Sequence, residues 1–300
     1  MNDSSTKPIS YFTGVFLVLL AGVFWSTVGL GLRNIEQANV WQILVYRSCA
    51  LAIFLFIVIT VRTGFKPFAT IRRVGAAGFV GGGGLVVAFA GGIYSVQTTT
   101  VANASFLFAS APFITALLGY FVLRESVRFA TWIAAAVALM GIVVMVAGGI
   151  AFGHMIGNLS ALLSALGFAV FAVSLRWGKL EDMLPAVMIG GAMAATVGAV
   201  VCGLTDESFE LSTRDTWISL GMGVFQLGAG LTVFTIGSRV VPAAELALLS
   251  MTEVLLGPFW VWLFLGEEAD LYTLIGGAIL LCAIAGNALS GLRRKPIPLL

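Results

Sequence analysis

Ten apolar runs, each close to the length that crosses a bilayer, follow one another through nearly the whole chain. They cover 11–32, 41–61, 74–95, 99–122, 129–149, 155–175, 183–204, 216–238, 243–264 and 271–291, with only short connections between them. A helix needs about 20 apolar residues to span the hydrocarbon. Lipid offers the backbone no water to bond to, so each run must satisfy its own N–H and C=O groups and is expected to be helical. The expected fold is therefore an all-α integral membrane protein of ten transmembrane helices. Composition agrees: 10% of the residues are charged, against about a quarter in a soluble domain.

Charge placement orients the spans, because short cytoplasmic loops collect Lys and Arg. One side gathers Lys7, Arg62, Lys66, Arg72, Arg73, Arg124, Arg128, Arg176, Lys179, Arg239, Arg293, Arg294 and Lys295; the other holds Arg33 and Arg214. Arg47 lies inside the second run. Both termini are thus expected in the cytoplasm, with the acidic groups around Glu207 and Glu267 outside. The expected location is a cell's inner (plasma) membrane, crossed many times. Trp41, Trp217, Trp260, Trp262 and Tyr272 fall near predicted outer edges, and Trp132 and Trp177 near inner ones. Interfacial anchoring is the expected role of these aromatics. The first run lacks an A-x-A site, so no cleaved leader is expected.

"AAGFVGGGGLVVAFAGG" (Ala76 to Gly92) places four consecutive glycines in the middle of the third run. It lacks the Gly-Lys-Ser/Thr ending of a phosphate loop, and a linker there would expose backbone to lipid. Small residues let membrane helices approach closely. The run therefore reads as a packing face, with Gly81 and Gly84 as candidate hinges.

The chain also resembles itself. "TWIAAAVALMGI" (Thr131–Ile142) matches "TLIGGAILLCAI" (Thr273–Ile284), and "FVLRES" (Phe121–Ser126) meets "LFLGEE" (Leu263–Glu268) at the same offset. "GVFLVLLAGVFWSTVGLGLR" (Gly14–Arg33) meets "GNLSALLSALGFAVFAVSLR" (Gly157–Arg176) one residue further along. Three matches in chain order at nearly one offset divide the chain into halves of five spans, 11–149 and 155–291, flanked by cytoplasmic tails 1–10 and 292–300. Five is odd, so the second half is expected to be inverted. Inverted repeats are typical of secondary transporters, whose site lies near the midplane between the halves.

At this point the sequence resembles the drug/metabolite transporter superfamily, in its ten-helix EamA branch. The resemblance rests on the paired repeat, on Arg47 in "VYRSCALA", and on "APFITALLGYFVLRE" from Ala111 to Glu125. The second half has "TEVLLGPFWVWLFLGEE", where Val254 stands at the position aligned with Pro112 and Pro258 follows four residues later. Within the family the chain looks most like the YddG-type amino-acid exporters. The resemblance implies export of small metabolites, amino acids among them, by alternating access without ATP.

Polar side chains at mid-membrane depth are costly and are candidate functional residues. Glu253 lies near the centre of the ninth run. Glu245 and Thr252 share its stripe, and Asn103 and Ser110 are their counterparts in the fourth run. Gln226 is at the midpoint of the eighth, and Trp25 and Ser26 lie in the first. Each also has a plainer role as interhelical glue or packing. Arg47 is expected to pair with a carboxylate or a helix dipole, or to grip a substrate carboxylate. Pro112 and Pro258 are expected to interrupt the fourth and ninth helices, as kinks or as hinges. The cavity between them should be mostly apolar with a few polar anchors.

Other chemistries find little support. Cys49, Cys202 and Cys282 all lie in apolar runs and read as small buried hydrophobes. His154 is the lone histidine, so a histidine metal site or triad lacks partners. No GxSxG, HExxH or phosphate loop occurs, and no enzyme activity, cofactor, metal or nucleic-acid partner is expected. The expected partners are a small-molecule substrate and membrane lipid, bound by a monomer. The first alternative is a multidrug exporter of organic cations; a more distant one is a membrane enzyme acting on lipid.

Overall fold

The computed structural model describes residues 9–64, 66–151, 154–180 and 182–292. Lys7, Arg293, Arg294 and Lys295 lie outside them, as does most of each expected tail. Ten helices are long and apolar enough to cross a membrane: Tyr11–Arg33, Val40–Arg62, Gly75–Thr98, Val101–Leu123, Phe129–Gly148, Met155–Trp177, Leu184–Leu204, Thr213–Gly237, Glu245–Leu265 and Leu271–Gly291. They are called spans one to ten below. No strand occurs among the described residues.

Local chemistry sets the ends. Ser10 accepts the Thr13 N–H at 3.1 Å to start span one, and Asn39 and Gln42 form a capping box at span two. These side chains satisfy N–H groups that a helix start leaves free. Spans four and nine finish alike. Arg124 (φ 56°) and Gly266 (φ 67°) adopt the left-handed conformation that closes helices. The next residues then bond back six positions: Glu125 N to Gly119 O and Glu267 N to Val261 O, both at 3.2 Å. The connection after span two contains a six-residue helix, Pro67–Arg72, with Pro67 in its first turn.

Three spans depart from uniform helix. Span one breaks at Thr27, between Tyr11–Ser26 and Val28–Arg33, where the Ser26 and Thr27 hydroxyls donate back to Val23 O (2.8 Å) and Phe24 O (2.7 Å). Span four breaks at Ala109 and Ser110, just before Pro112. Span eight winds as a π-helix over Met222–Ala229. Span nine, by contrast, is one helix, Ala243–Leu265, continuing through Pro258. This corrects the expected interruption: a single missing N–H removes one bond, and the flanking turns hold their own.

The helices pack across the two halves. Span three lies on six and seven, span one on eight and nine, six on four, two on seven and eight, and five on ten. Exchanging each of the first five spans with its counterpart five places on reproduces these pairings. Small residues occupy the crossings. A Cβ on Gly141 (span five) would lie 2.6 Å from Gly276 O (span ten), and one on Gly237 (span eight) 2.7 Å from Gly14 O (span one). The glycine run serves two neighbours. Gly81 and Gly84 face Phe171 and Gly167 of span six, Gly82 faces Gly190 and Met193 of span seven, and Gly83 faces open space. Close backbone contact of this kind drives helix association in lipid.

Candidate functional site

The three irregular segments are neighbours. Gly257 of span nine fits between Ser26 O of span one and Ser105 of span four: a Cβ there would lie 3.7 Å and 3.4 Å from their oxygens. A Cβ on Gly230, just after the π-helical turn of span eight, would meet the Trp25 indole at 2.5 Å. Trp25 also packs on Phe234, with ring centroids 5.2 Å apart. Spans one, four, eight and nine therefore meet around the break in span one. Wider π-helical turns recur at functional sites because they re-aim the side chains they carry.

Here that turn carries Gln226, whose Oε1 accepts from Arg47 Nη2 of span two at 3.2 Å. Both side chains are buried. The close approach depends on Gly223, where a Cβ would lie 2.2 Å from Arg47 O. The Arg47 guanidinium stands over the Phe89 ring, 5.5 Å from its centroid, a cation–π contact. No ion pair to Arg47 occurs among the described residues. The expected carboxylate or helix-dipole partner is replaced by a neutral amide and an aromatic face. Arg47 Nε and Trp25 Nε1 are buried donors without a partner. Such groups are rare in folded proteins, because an unmade bond there costs about 1–3 kcal/mol.

The remaining candidates divide. Glu253 is half-buried and its carboxylate has no hydrogen-bond or ion-pair partner among the described residues. Thr252 packs on span one, its Cβ 3.4 Å from where a Gly22 Cβ would be. Glu245 accepts a hydrogen bond from Tyr11 and ties the starts of spans nine and one together. Ser26 accepts from Trp260 Nε1 at 2.9 Å. Trp260 is thus turned into the contact between spans one and nine, a correction to its expected role as an interfacial anchor. Its ring is drawn inward because Ser26 offers an acceptor that lipid cannot.

Asn103 and Ser110 sit deeper in protein. Ser110 is buried and donates to Leu107 O at 2.7 Å, bridging the break in span four. Asn103 donates to Thr99 Oγ1 at 3.1 Å and to Asn158 of span six, and accepts from Thr273 of span ten at 3.3 Å. Its amide is committed to a knot of three spans near the Glu267 end. Asn158 and Thr273 were open to inspection as polar residues in apolar runs, but no periodicity joins them to Asn103. The π-helical turn had a faint signal, "GMGVFQLGAG", in which glycines surround one amide.

The model of the EamA-like transporter family matches the chain twice, over residues 12–147 and 155–289. The human protein Solute carrier family 35 member G1 is 22% identical over 305 aligned residues, covering 94% of this chain and 79% of that protein. The Uncharacterized transporter YdfC of Bacillus subtilis (strain 168) is 26% identical over 188 residues, 61% of each chain. A solved structure titled "Crystal structure of protein" superposes with a TM-score of 0.69 at 18% identity, covering 95% of this chain and all of that one, a likeness of fold.

Proposed function

The chain belongs to the EamA-like transporter family, and from that premise we propose that it is a secondary-active exporter of amino acids or similar small metabolites. The preferred substrates are neutral, hydrophobic or aromatic. The halves are inverted repeats, both termini are cytoplasmic, and the protein works as a monomer in the inner membrane. The substrate binds where spans one, four, eight and nine meet, and is released by alternating access. Bending is concentrated at the break before Pro112, with Pro258 and the face of Gly81 and Gly84 as secondary hinges.

One observation carries this reading. Arg47 is a buried guanidinium held by a neutral amide, with an unpartnered Nε. A charge in the membrane interior calls for a counter-charge, and a substrate carboxylate supplies one through charge-assisted hydrogen bonds. Glu253 is the matching anion for a substrate ammonium group, and Trp25 and Phe234 offer an apolar wall. Glu253 alone also supports the second reading, an exporter of organic cations.

Counterflow into proteoliposomes separates the two. Vesicles preloaded with unlabelled compound are offered labelled threonine, methionine, phenylalanine or tryptophan, and in parallel tetraphenylphosphonium. Accumulation of an amino acid that is lost in Arg47→Gln supports the proposal. Accumulation of the cation alone, retained in Arg47→Gln and lost in Glu253→Gln, moves the assignment to organic cations.

A further inference from the structure

Two ion pairs stand at opposite ends of the bundle. Arg33, at the end of span one, donates from Nε to Glu267 Oε2, just after span nine, at 2.6 Å. Arg176, at the end of span six, donates from Nη1 to Glu125 Oε2, just after span four, at 2.5 Å. In the internal alignment Arg33 corresponds to Arg176, and Glu125 to Glu267. The pairs are therefore the same pair, made once by each half. The carboxylates are presented alike, each following a left-handed residue and each on a residue whose N–H bonds back six positions at 3.2 Å. Two unrelated surface contacts would have no reason to share a cap, a partner type and an alignment register.

They are not equally complete. At the Glu267 end, Glu267 Oε1 also accepts the Val101 N–H at 2.6 Å, and Arg33 Nη2 donates to Thr99 O at 2.7 Å. Span four's first turn is thereby tied to the ends of spans one and nine. At the Glu125 end, the counterpart of Thr99 is Val241, just before span nine. Among the described residues Arg176 makes no bond to Val241. Its Nη2 turns back to Thr115 O within span four, at 3.3 Å. The side chains differ to match, 27% and 19% exposed for Arg33 and Glu267 against 41% and 40% for Arg176 and Glu125. Three spans are locked at one end and two at the other.

We propose that Arg33–Glu267 and Arg176–Glu125 are one latch carried twice, and that the two copies close opposite ends of the transport path in turn. This rests on the transporter reading and on inversion of the halves. Exchanging the halves exchanges the ends, so the asymmetry seen here defines a second state. In that state Arg176 reaches Val241 O, and the three-span lock at Glu267 opens. The present structure has the Glu267 latch complete, which the charge placement puts outside. The path is shut to the outside, and the start of span nine is free to part from span six.

Cysteine accessibility tests this without a substrate. The native cysteines are replaced by alanine, and Ser105→Cys is introduced one turn beyond Val101, beneath the complete latch. Labelling with a membrane-impermeant maleimide is followed from each face, in right-side-out and inside-out vesicles. Glu267→Gln is expected to raise labelling from outside by up to roughly fivefold, the population shift that losing one such ion pair produces. Glu125→Gln is expected to lower outside labelling and to raise inside labelling. Arg33→Gln should repeat Glu267→Gln, which guards against a folding defect peculiar to one variant. The swapped pair Arg33→Glu with Glu267→Arg should return outside labelling toward the parent. Equal effects of Glu267→Gln and Glu125→Gln on both faces, or no effect of Glu267→Gln and Arg33→Gln, would overturn the proposal. Counterflow by the unmodified protein reports separately on the transport reading, so either idea can fail alone.

Discussion

Gly84 and Gly167 each stand where the other has no room for a side chain. A Cβ on Gly84 would lie 2.6 Å from Gly167 O, and a Cβ on Gly167 would lie 2.5 Å from Gly84 O. The neighbouring atoms are backbone on both sides, so neither helix can yield by rotating a side chain. This crossing joins span three of one half to span six of the other.

Gly84→Ala and Gly167→Ala are each expected to destabilise the protein by about 1–3 kcal/mol, the usual range for overpacking a filled interior. Gly83→Ala is the control, because nothing lies within 4 Å of its added methyl. It should be neutral or slightly stabilising through helix propensity. Thermal unfolding of the detergent-purified variants, followed by size-exclusion fluorescence, measures all three. A Gly84→Ala protein as stable as Gly83→Ala would contradict the packing argument.

Arg47→Gln and Glu253→Gln are expected to weaken binding at the carboxylate and the ammonium ends of an amino acid. A hydrogen bond to a charged group contributes about 1.5–3 kcal/mol, so losing the guanidinium should weaken amino-acid counterflow roughly tenfold to a hundredfold. Glu253→Gln removes the anion proposed to face the substrate ammonium group and should weaken counterflow as well. Counterflow measured across a substrate concentration series for both variants checks this. Unchanged counterflow in Glu253→Gln would remove that residue from the binding site.

Asp215 is buried at the start of span eight and accepts the N–H groups of Glu36, Gln37 and Ala38 at 3.0–3.1 Å. This carboxylate and the neighbouring Arg214, which bonds Glu36 and Asn34, fasten the loop between spans one and two to the start of span eight. Asp215→Ala removes the acceptor of all three; Ala38 is buried, and a buried donor left unpaired costs about 1–3 kcal/mol. A clear loss of folded protein is expected, with Asp215→Asn intermediate. Expression and melting temperature of the two variants are the readout.

Asn103→Ala should act on stability and leave the order of substrate preference intact. Its amide bonds Thr99, Asn158 and Thr273, leaving little capacity for a ligand. The check is melting temperature set beside the ratio of phenylalanine to threonine counterflow. A changed ratio with unchanged melting would return Asn103 to the binding site.

The sequence alone determined the number of spans and their approximate ends, because hydrocarbon thickness sets a length and composition reveals it. It also pointed to two matching halves, through aligned residues such as Glu125 and Glu267. The polar residues at mid-depth were visible too, because each is an exception in an apolar run. Their partners were not. Gln226 finds Arg47, Ser26 finds Trp260, and Asn103 finds Asn158 only when helices far apart in the chain pack side by side. The π-helical turn at Met222–Ala229 and the unbroken helix through Pro258 were equally hidden, because local propensity there gives way to what the neighbouring helix allows. Which of two equivalent ion pairs is complete cannot be written in a repeated motif at all. Both copies carry the same residues, and only the tertiary packing of spans four and nine distinguishes them.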